Sequence, residues 1–159
     1  CGILSGCVLP MGKTSDVSHD KRASHHIGRS FVTKYDLYIS ISKNPILSDY
    51  PGIEVPSGLL TGYGSPYLPY PVDKAHVGIS NPYFTCVGVL PAGTKIAIKR
   101  VVYYREPTSH FIALIFKTDD EAHGTIQFDF GANINRAKYS DFGLGDRWII
   151  GRVADEITK

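Results

Sequence analysis

Hydrophobic and polar residues alternate over several short stretches of this chain, which is the pattern of half-buried β-strands. The first predicted strand covers residues 31–41, where alternate side chains face the core. A second strand is predicted over residues 84–90, a turn over 91–93 and a further strand over 94–104. Residues 110–118, HFIALIFKT, are almost continuously apolar, which is typical of a strand that is buried on both faces.

The C-terminal part of the chain predicts a hairpin and a closing strand. A polar tip, residues 119–124, joins the preceding apolar strand to an alternating stretch over residues 125–130. Residues 147–153, which include Trp148, predict a short closing strand, and residues 154–159 predict a terminal turn of helix. About five or six strands of this length favour an all-β fold, built as a small barrel, over an α/β sheet.

Two segments lack any regular period. Residues 8–30 are polar and mix Ser, Asp, Lys and His, which predicts a flexible N-terminal arm. Residues 44–82 contain seven prolines and five glycines, which exclude a long regular element. A segment of this length is either a functional loop or a loop packed by its own aromatic residues. We therefore divide the chain into a tether, residues 1–30, and a single β domain, residues 31–159.

Composition and charge narrow the range of functions. The chain has 159 residues, 43% hydrophobic and 20% charged, which is the balance of one globular domain. The formal net charge of +2 is too small to favour nucleic acid as a partner. No run approaches the roughly 18 consecutive apolar residues of a spanning helix, so a membrane link would come from a lipid or from surface contacts.

One short motif suggests a more specific architecture. Gly88, Leu90, Gly93 and Thr94 form the pattern G-x-L-x-x-G-T. Together with the strand layout of residues 31–153, this pattern resembles bacterial SH3-like domains, in which it closes a long loop and starts a strand. The resemblance implies a small SH3-like barrel with a long Tyr/Pro-rich loop.

The stretch Leu4–Cys7 resembles a bacterial lipobox, in which a signal peptidase cuts before a cysteine that then receives acyl chains. The resemblance implies that residues 1–6 are the remnant of a signal peptide and that Cys7 is the lipidated residue. Alternatively, Cys1 is the lipidated residue, which would leave Cys7 free to form a disulfide with Cys86 in an oxidising periplasm.

The residues after the two candidate cysteines indicate which membrane would hold the protein. Inner-membrane retention in lipoproteins uses an aspartate directly after the cysteine, whereas Gly2 follows Cys1 and Val8 follows Cys7. The resemblance therefore implies a lipid anchor in the bacterial outer membrane, with the protein facing the periplasm or the cell surface.

Candidate catalytic and metal-binding groups are few. His19, His25 and His26 lie in the polar arm without a carboxylate or thiol at a recognised ligand spacing, which favours solvated histidines over a metal site. Cys86 lies in an apolar strand, which favours a buried thiol over a nucleophile activated by a histidine such as His76. No motif supports an enzyme class or a cofactor.

Four tyrosines of the long loop, Tyr63, Tyr67, Tyr70 and Tyr83, are the candidate partner-binding residues. Neighbouring prolines stiffen the loop, and tyrosine rings contact a partner at low entropic cost, although the same rings would also serve to cover a barrel. We predict a non-enzymatic binding or structural subunit of an envelope assembly, or a cell-wall-binding module, whose partner is an envelope protein or peptidoglycan. The alternative is a small periplasmic hydrolase, or an inhibitor or immunity-type protein, that uses Cys86 or the histidines.

Overall fold

β-Strands account for about half of the described residues in a computed structural model, which describes residues 13–44, 50–60, 64–105, 110–130 and 150–157. In chain order the strands are β1 (Lys13–Asp16), β2 (Ser30–Thr33), β3 (Leu37–Ser42), β4 (Gly52–Glu54), β5 (Pro56–Ser57), β6 (Ser65–Pro69), β7 (Phe84–Leu90), β8 (Lys95–Arg105), β9 (His110–Thr118), β10 (Thr125–Phe130) and β11 (Ala154–Glu156). Within these ranges, the helical elements are α1 (Ile150–Val153) and two 3-10 turns, Ser24–His26 and Lys74–His76.

One large sheet contains all the strands except β5 and β6. Its order is β11-β2-β8-β9-β10-β4-β3-β7. β1 also pairs with β8: it contacts residues 102–105 of β8, whereas β2 contacts residues 95–97. The pairings are antiparallel except for β10 with β4. β5 and β6 form a separate parallel pair. The predominance of strands confirms the all-β prediction.

The sheet curls, because strands from both of its ends contribute to one apolar cluster. Ala154 of β11 lies at one end and Leu90 of β7 at the other, and both are buried in the same cluster. The tip of the β9–β10 hairpin also reaches β7, since the His123 ring occupies the space that a Cβ at Gly88 would fill. The ladders of the described ranges nevertheless trace an open path and form no closed barrel.

The central strands confirm the predictions that rested on continuous apolar sequence. Residues 112–116 of β9 are all buried, as expected of a strand with both faces covered. β9 pairs with β8 on one side and with β10 on the other. The predicted hairpin of residues 110–118 and 125–130 is therefore confirmed, with Thr125 opposite Lys117 beside the polar tip.

The strand predicted over residues 31–41 is two strands. β2 and β3 are separated by residues 34–36 and lie in different parts of the sheet, because β2 pairs with β8 and β3 pairs with β4 and β7. The register of β3 also shifts between Ile39 and Ser40, and Ile41 is 43% exposed. Since a shift of one residue exchanges the two faces, the simple alternation does not extend along the whole stretch.

Residues 13–30 are packed against the sheet, so the flexible-arm prediction is wrong for this part of the chain. β1 pairs with β8 over four residues, and the Ser18 hydroxyl accepts a hydrogen bond from the Val101 amide at 3.0 Å. Ala23 is fully buried, and the Arg29 guanidinium binds both oxygens of Glu156 at 2.7 Å. Backbone pairing and single polar contacts stabilise this segment. Such contacts need no regular repeat of apolar residues, which is why the sequence of the segment shows none. Residues 1–12, including Cys1 and Cys7, lie outside the described residues.

The C-terminal elements are reversed relative to the prediction. The helix comes first, at Ile150–Val153, and the strand follows at Ala154–Glu156, where it pairs with β2. Ala, Asp and Glu are poor strand formers, so the available edge of β2 decides this pairing rather than local propensity. Trp148 lies outside the described residues.

Candidate functional site

A cleft of about 520 Å³, which we call the aromatic cleft, opens between β4, β6 and β7. It lies where the main apolar cluster meets a second, smaller one: Phe128 belongs to the first and Phe84 to the second. The lining residues are Ile53, Glu54, Val55, Gly64, Ser65, Pro66, Tyr67, Tyr83, Phe84 and Phe128. Its buried floor, which includes Phe84 and Phe128, is thus continuous with the core, and Tyr67 and Tyr83 add exposed rings to the lining.

The short β5–β6 ladder positions Tyr67. The Ser65 amide donates to the Val55 carbonyl at 2.8 Å, and the Tyr70 amide donates to the Ser57 carbonyl at 3.0 Å. The close approach of the two strands requires glycine at position 64, since a Cβ there would lie 2.6 Å from the Pro56 oxygen. Gly64 also has a φ of +118°, which L residues rarely adopt. Tyr67 is 47% exposed on the resulting wall.

The start of β7 forms another part of the cleft lining, and an asparagine side chain holds its backbone in place. The Asn81 Oδ1 atom accepts hydrogen bonds from the amides of Tyr83 at 2.8 Å and Phe84 at 3.0 Å. Such local side-chain to backbone bonds are the reason why asparagine favours turns. Tyr83 remains 67% exposed, whereas Phe84 is 8% exposed and meets the Tyr67 ring edge-on at 6.3 Å between centroids.

The long loop of residues 44–82 is attached to the sheet through Tyr38 of β3. The Tyr38 hydroxyl accepts a hydrogen bond from the Asp73 amide at 2.9 Å and donates to the Pro69 carbonyl at 3.2 Å. Its ring is fully buried beside Leu68, which belongs to β6, and Cys86 of β7. The described part of the loop is therefore held in place by burial and hydrogen bonds. Because Tyr67 belongs to this loop, its position in the cleft lining is fixed in the same way.

Glu54 is the acidic side chain of the aromatic cleft. It is the last residue of β4, opposite Tyr38 of β3, and the Ser40 hydroxyl donates to its Oε1 atom at 3.0 Å. It is partly buried, and no lysine, arginine or histidine of the described ranges forms an ion pair with it. Burial raises the pKa of the Glu54 carboxyl, because its ionised form is incompletely solvated.

The structure separates the four tyrosines that the sequence predicted together. Tyr67 and Tyr83 line the aromatic cleft, whereas Tyr70 meets Tyr35 edge-on at 6.4 Å between centroids and is not among the cleft residues. Tyr63 lies outside the described residues. Glu54 could not be identified from the sequence, because a single acid in a Pro/Gly-rich stretch has no periodic signal. Only the tertiary fold shows that its side chain is partly buried.

The candidate thiol is buried. Cys86 is 1% exposed, its sulfur donates to the Gly88 carbonyl at 3.8 Å, and burial raises the pKa of the thiol. His76 lies against the Tyr38 ring, at 6.1 Å between centroids. In the arm, His26 is 3% exposed, and its ring centroid lies 3.8 Å from that of His25 with the two rings tilted by 43°. Within the described ranges, no group of three or more His, Cys, Asp or Glu side chains is arranged to hold a metal ion.

A second cavity, which we call the lysine groove, has a volume of about 470 Å³ and lies over β2, β8 and β9. Lys95, Lys99 and Lys117 surround Ala97, which pairs directly with Lys117 across the β8–β9 ladder. The described lining residues are Ser30, Lys95, Ile96, Ala97, Lys99, Lys117, Thr118, Asp119 and Ile157. The three lysines are exposed, and none forms an ion pair within the described part of the chain.

Comparison with known protein families, characterised proteins and solved structures finds no match to this chain. The described residues contain no helix with the length and apolar character needed to cross a bilayer.

Proposed function

We propose that the protein is a non-enzymatic binding module of the bacterial envelope and that the aromatic cleft is its binding site. The observation that carries this proposal is the joint presence of Tyr67 and Tyr83 at one cleft, both with much of their ring exposed. Their backbones are held by the β5–β6 ladder and by Asn81 before any partner arrives. A preordered aromatic surface loses little conformational entropy on binding, and tyrosine is frequent among the residues that dominate interfaces.

Binding is better supported than catalysis because the described lining residues of the cleft include no activated nucleophile. Cys86, the candidate nucleophile of the alternative hydrolase, is nearly inaccessible, and its raised pKa keeps the thiol protonated at neutral pH. Glu54 alone supplies a carboxyl to the lining, whereas acid–base hydrolysis commonly uses two positioned groups.

The proposal includes the lipid anchor and the outer-membrane location that the lipobox resemblance implies. If Cys7 carries the lipid, six peptide units link it to Lys13, the first residue of β1, and an extended linker would span at most about 20 Å. The sheet would then stay close to the membrane surface. Intact mass measurement of the membrane-extracted protein should reveal acyl groups on Cys7, and an unmodified chain that retains residues 1–6 would contradict this assignment.

An SH3-like arrangement remains part of the proposal. The curled sheet and the turn between β7 and β8 support it: Thr94 donates its hydroxyl to the Pro91 carbonyl at 2.7 Å, and Gly93 adopts a φ of +84°. In the motif, glycine and threonine would serve to form this turn.

The partner class is tested by binding of the full chain to two kinds of target. In the first test, the chain is sedimented with purified peptidoglycan sacculi. In the second, a photo-crosslinking amino acid at position 83 reports protein neighbours in intact cells. We expect Tyr67→Ala to reduce the signal of whichever target is bound by about tenfold, and Tyr70→Ala to leave it unchanged. Sedimentation and crosslinking that are both absent, or that survive Tyr67→Ala, would overturn the proposed site.

A further inference from the structure

The aromatic cleft contains a carboxylate whose charge is not balanced by any cationic side chain of the described residues. Glu54 receives one hydrogen bond, from Ser40, and forms no ion pair with a described residue. A carboxylate offers about four acceptor positions, so most of the hydrogen-bonding capacity of Glu54 is available to a ligand. Partial burial makes this important, since a desolvated charge interacts more strongly with a counter-charge than a fully solvated one does.

The aromatic residues that line the cleft also favour a cation. Tyr67 and Tyr83 both line the cleft with much of their ring exposed, and the faces of aromatic rings attract ammonium and guanidinium groups. The apolar floor, which includes Phe84 and Phe128, suits the aliphatic part of a long basic side chain. An anionic group would instead meet the negative charge of Glu54.

We propose that the aromatic cleft recognises a basic side chain, lysine or arginine, on an extended segment of a partner protein, with Glu54 as the counter-charge and Tyr67 and Tyr83 as the walls. This inference rests on the binding role proposed above and names the ligand of that site. The aliphatic stem occupies the apolar part of the cleft, and the terminal cation lies beside the Glu54 carboxylate. Glu54 is a specificity-determining residue, since it distinguishes the cation from a neutral chain of the same length.

The inference is tested with short peptides and the ¹⁵N-labelled full chain. The probes are acetyl-Ala-Lys-Ala-amide, the arginine counterpart, and a norleucine peptide, which keeps the aliphatic stem and lacks the charge. We expect the lysine and arginine peptides to shift the amide signals of residues 53–55, 65–67 and 83–84, and to bind at least tenfold more tightly than the norleucine peptide.

Three variants complete the test. Glu54→Gln retains the shape and the hydrogen bond from Ser40, and it should reduce the affinity for the lysine peptide about tenfold while leaving the weak norleucine binding unchanged. Glu121→Gln removes a charge of the same kind at the exposed tip of the β9–β10 hairpin and should have no effect. Tyr67→Ala should weaken binding of every peptide.

The possible failures are distinguishable. Equal affinity for the lysine and norleucine peptides, lost in Tyr67→Ala, would overturn recognition of a cation and leave the cleft as a binding site. Signals unchanged by any peptide would overturn this inference. Glu54-dependent binding of sacculi without binding of the lysine peptide would also overturn it, in favour of peptidoglycan as the occupant.

Discussion

The aromatic cleft and the lysine groove have similar volumes, about 520 and 470 Å³, but their charged side chains differ in how well water solvates them. In the groove, Lys95, Lys99 and Lys117 are exposed on regular strands, so water solvates their ammonium groups at little cost. In the cleft, Glu54 is partly buried, and burial raises the pKa of its carboxyl. Glu54 has lost solvation and has no counter-ion among the described residues, so its single charge is more informative about binding than the three solvated charges of the groove.

The two cavities also differ in how they are built. The groove is a surface of the ladder that joins β2, β8 and β9, so its shape follows from regular backbone pairing. The cleft combines β4, β6 and β7 with one core residue of β10, and it depends on individual residues such as Gly64 and Asn81. Single substitutions should consequently damage the cleft far more than the groove.

The largest expected difference concerns the floors of the two cavities. Phe128 is 3% exposed and belongs to the main cluster, so Phe128→Ala should destabilise the protein by about 3–5 kcal/mol. Ile157 lines the groove but is 39% exposed, and Ile157→Ala should cost less than about 1 kcal/mol. Urea unfolding measures both values. Similar losses for the two variants would contradict the assignment of the cleft floor to the core.

A smaller effect is expected from the close strand approach at Gly64. Gly64→Ala combines a strained φ with a collision at Pro56, and it should cost about 2–3 kcal/mol. Gly58 is the matched control, because its φ is +85° and a Cβ added there would have no atom within 4 Å. Gly58→Ala should therefore cost only the backbone strain, about 1 kcal/mol. Equal unfolding free energies would show that the contact at Pro56 relaxes without cost.

The two exposed tyrosines of the loop should differ in binding. Tyr67→Ala should weaken binding of the partner by about 1–2 kcal/mol with little change in melting temperature, because its ring lines the cleft and is half exposed. Tyr70→Ala should leave affinity unchanged, because Tyr70 packs against Tyr35 outside the cleft. Calorimetric titration with the target identified by crosslinking or sedimentation distinguishes the two, and a loss of affinity confined to Tyr70→Ala would move the site.

The partly buried charge of Glu54 should reduce the stability of the ligand-free protein at neutral pH. Burial raises the pKa of the Glu54 carboxyl in the folded state above its value in the unfolded chain. With respect to this group alone, the folded protein is therefore more stable at low pH, where Glu54 is protonated in both states. That stability is lost as the pH rises through the folded-state pKa. Glu54→Gln cannot ionise and should stabilise the ligand-free protein by about 1 kcal/mol at pH 7, with the gain disappearing below about pH 4. Urea unfolding at both pH values tests this. Destabilisation at pH 7 would indicate a compensating cation.

The smallest effects are expected in the lysine groove. Replacing Lys95, Lys99 or Lys117 singly by Gln should change the unfolding free energy by no more than about 0.5 kcal/mol, because each ammonium group is exposed and lacks an ion pair with a described residue. Thermal unfolding at low and high salt provides the measurement. A change above about 1 kcal/mol in any of them would show that the groove, too, holds an incompletely solvated charge.

The elements that could be predicted from the sequence are those whose signals are local. The apolar run of residues 112–116 and the polar tip at 119–124 specify the β9–β10 hairpin without reference to the remaining chain. Tyr67 and Tyr83 were predicted as candidate contacts because they lie close to prolines in the sequence; the structure places both at the aromatic cleft, and their role in binding stays a prediction. Strands and turns of this kind depend on side-chain period and turn chemistry, which neighbouring residues determine.

Tertiary structure decided the features that depend on distant partners. Residues 13–30 carry no hydrophobic period, but they lie against β8 because its edge offers backbone hydrogen bonds, and β11 forms on β2 for the same reason. Glu54 became a candidate only when the fold placed Ser40, Tyr67 and Tyr83 around it. The solvation of a charge depends on everything that surrounds it in space, and order along the chain does not contain that information.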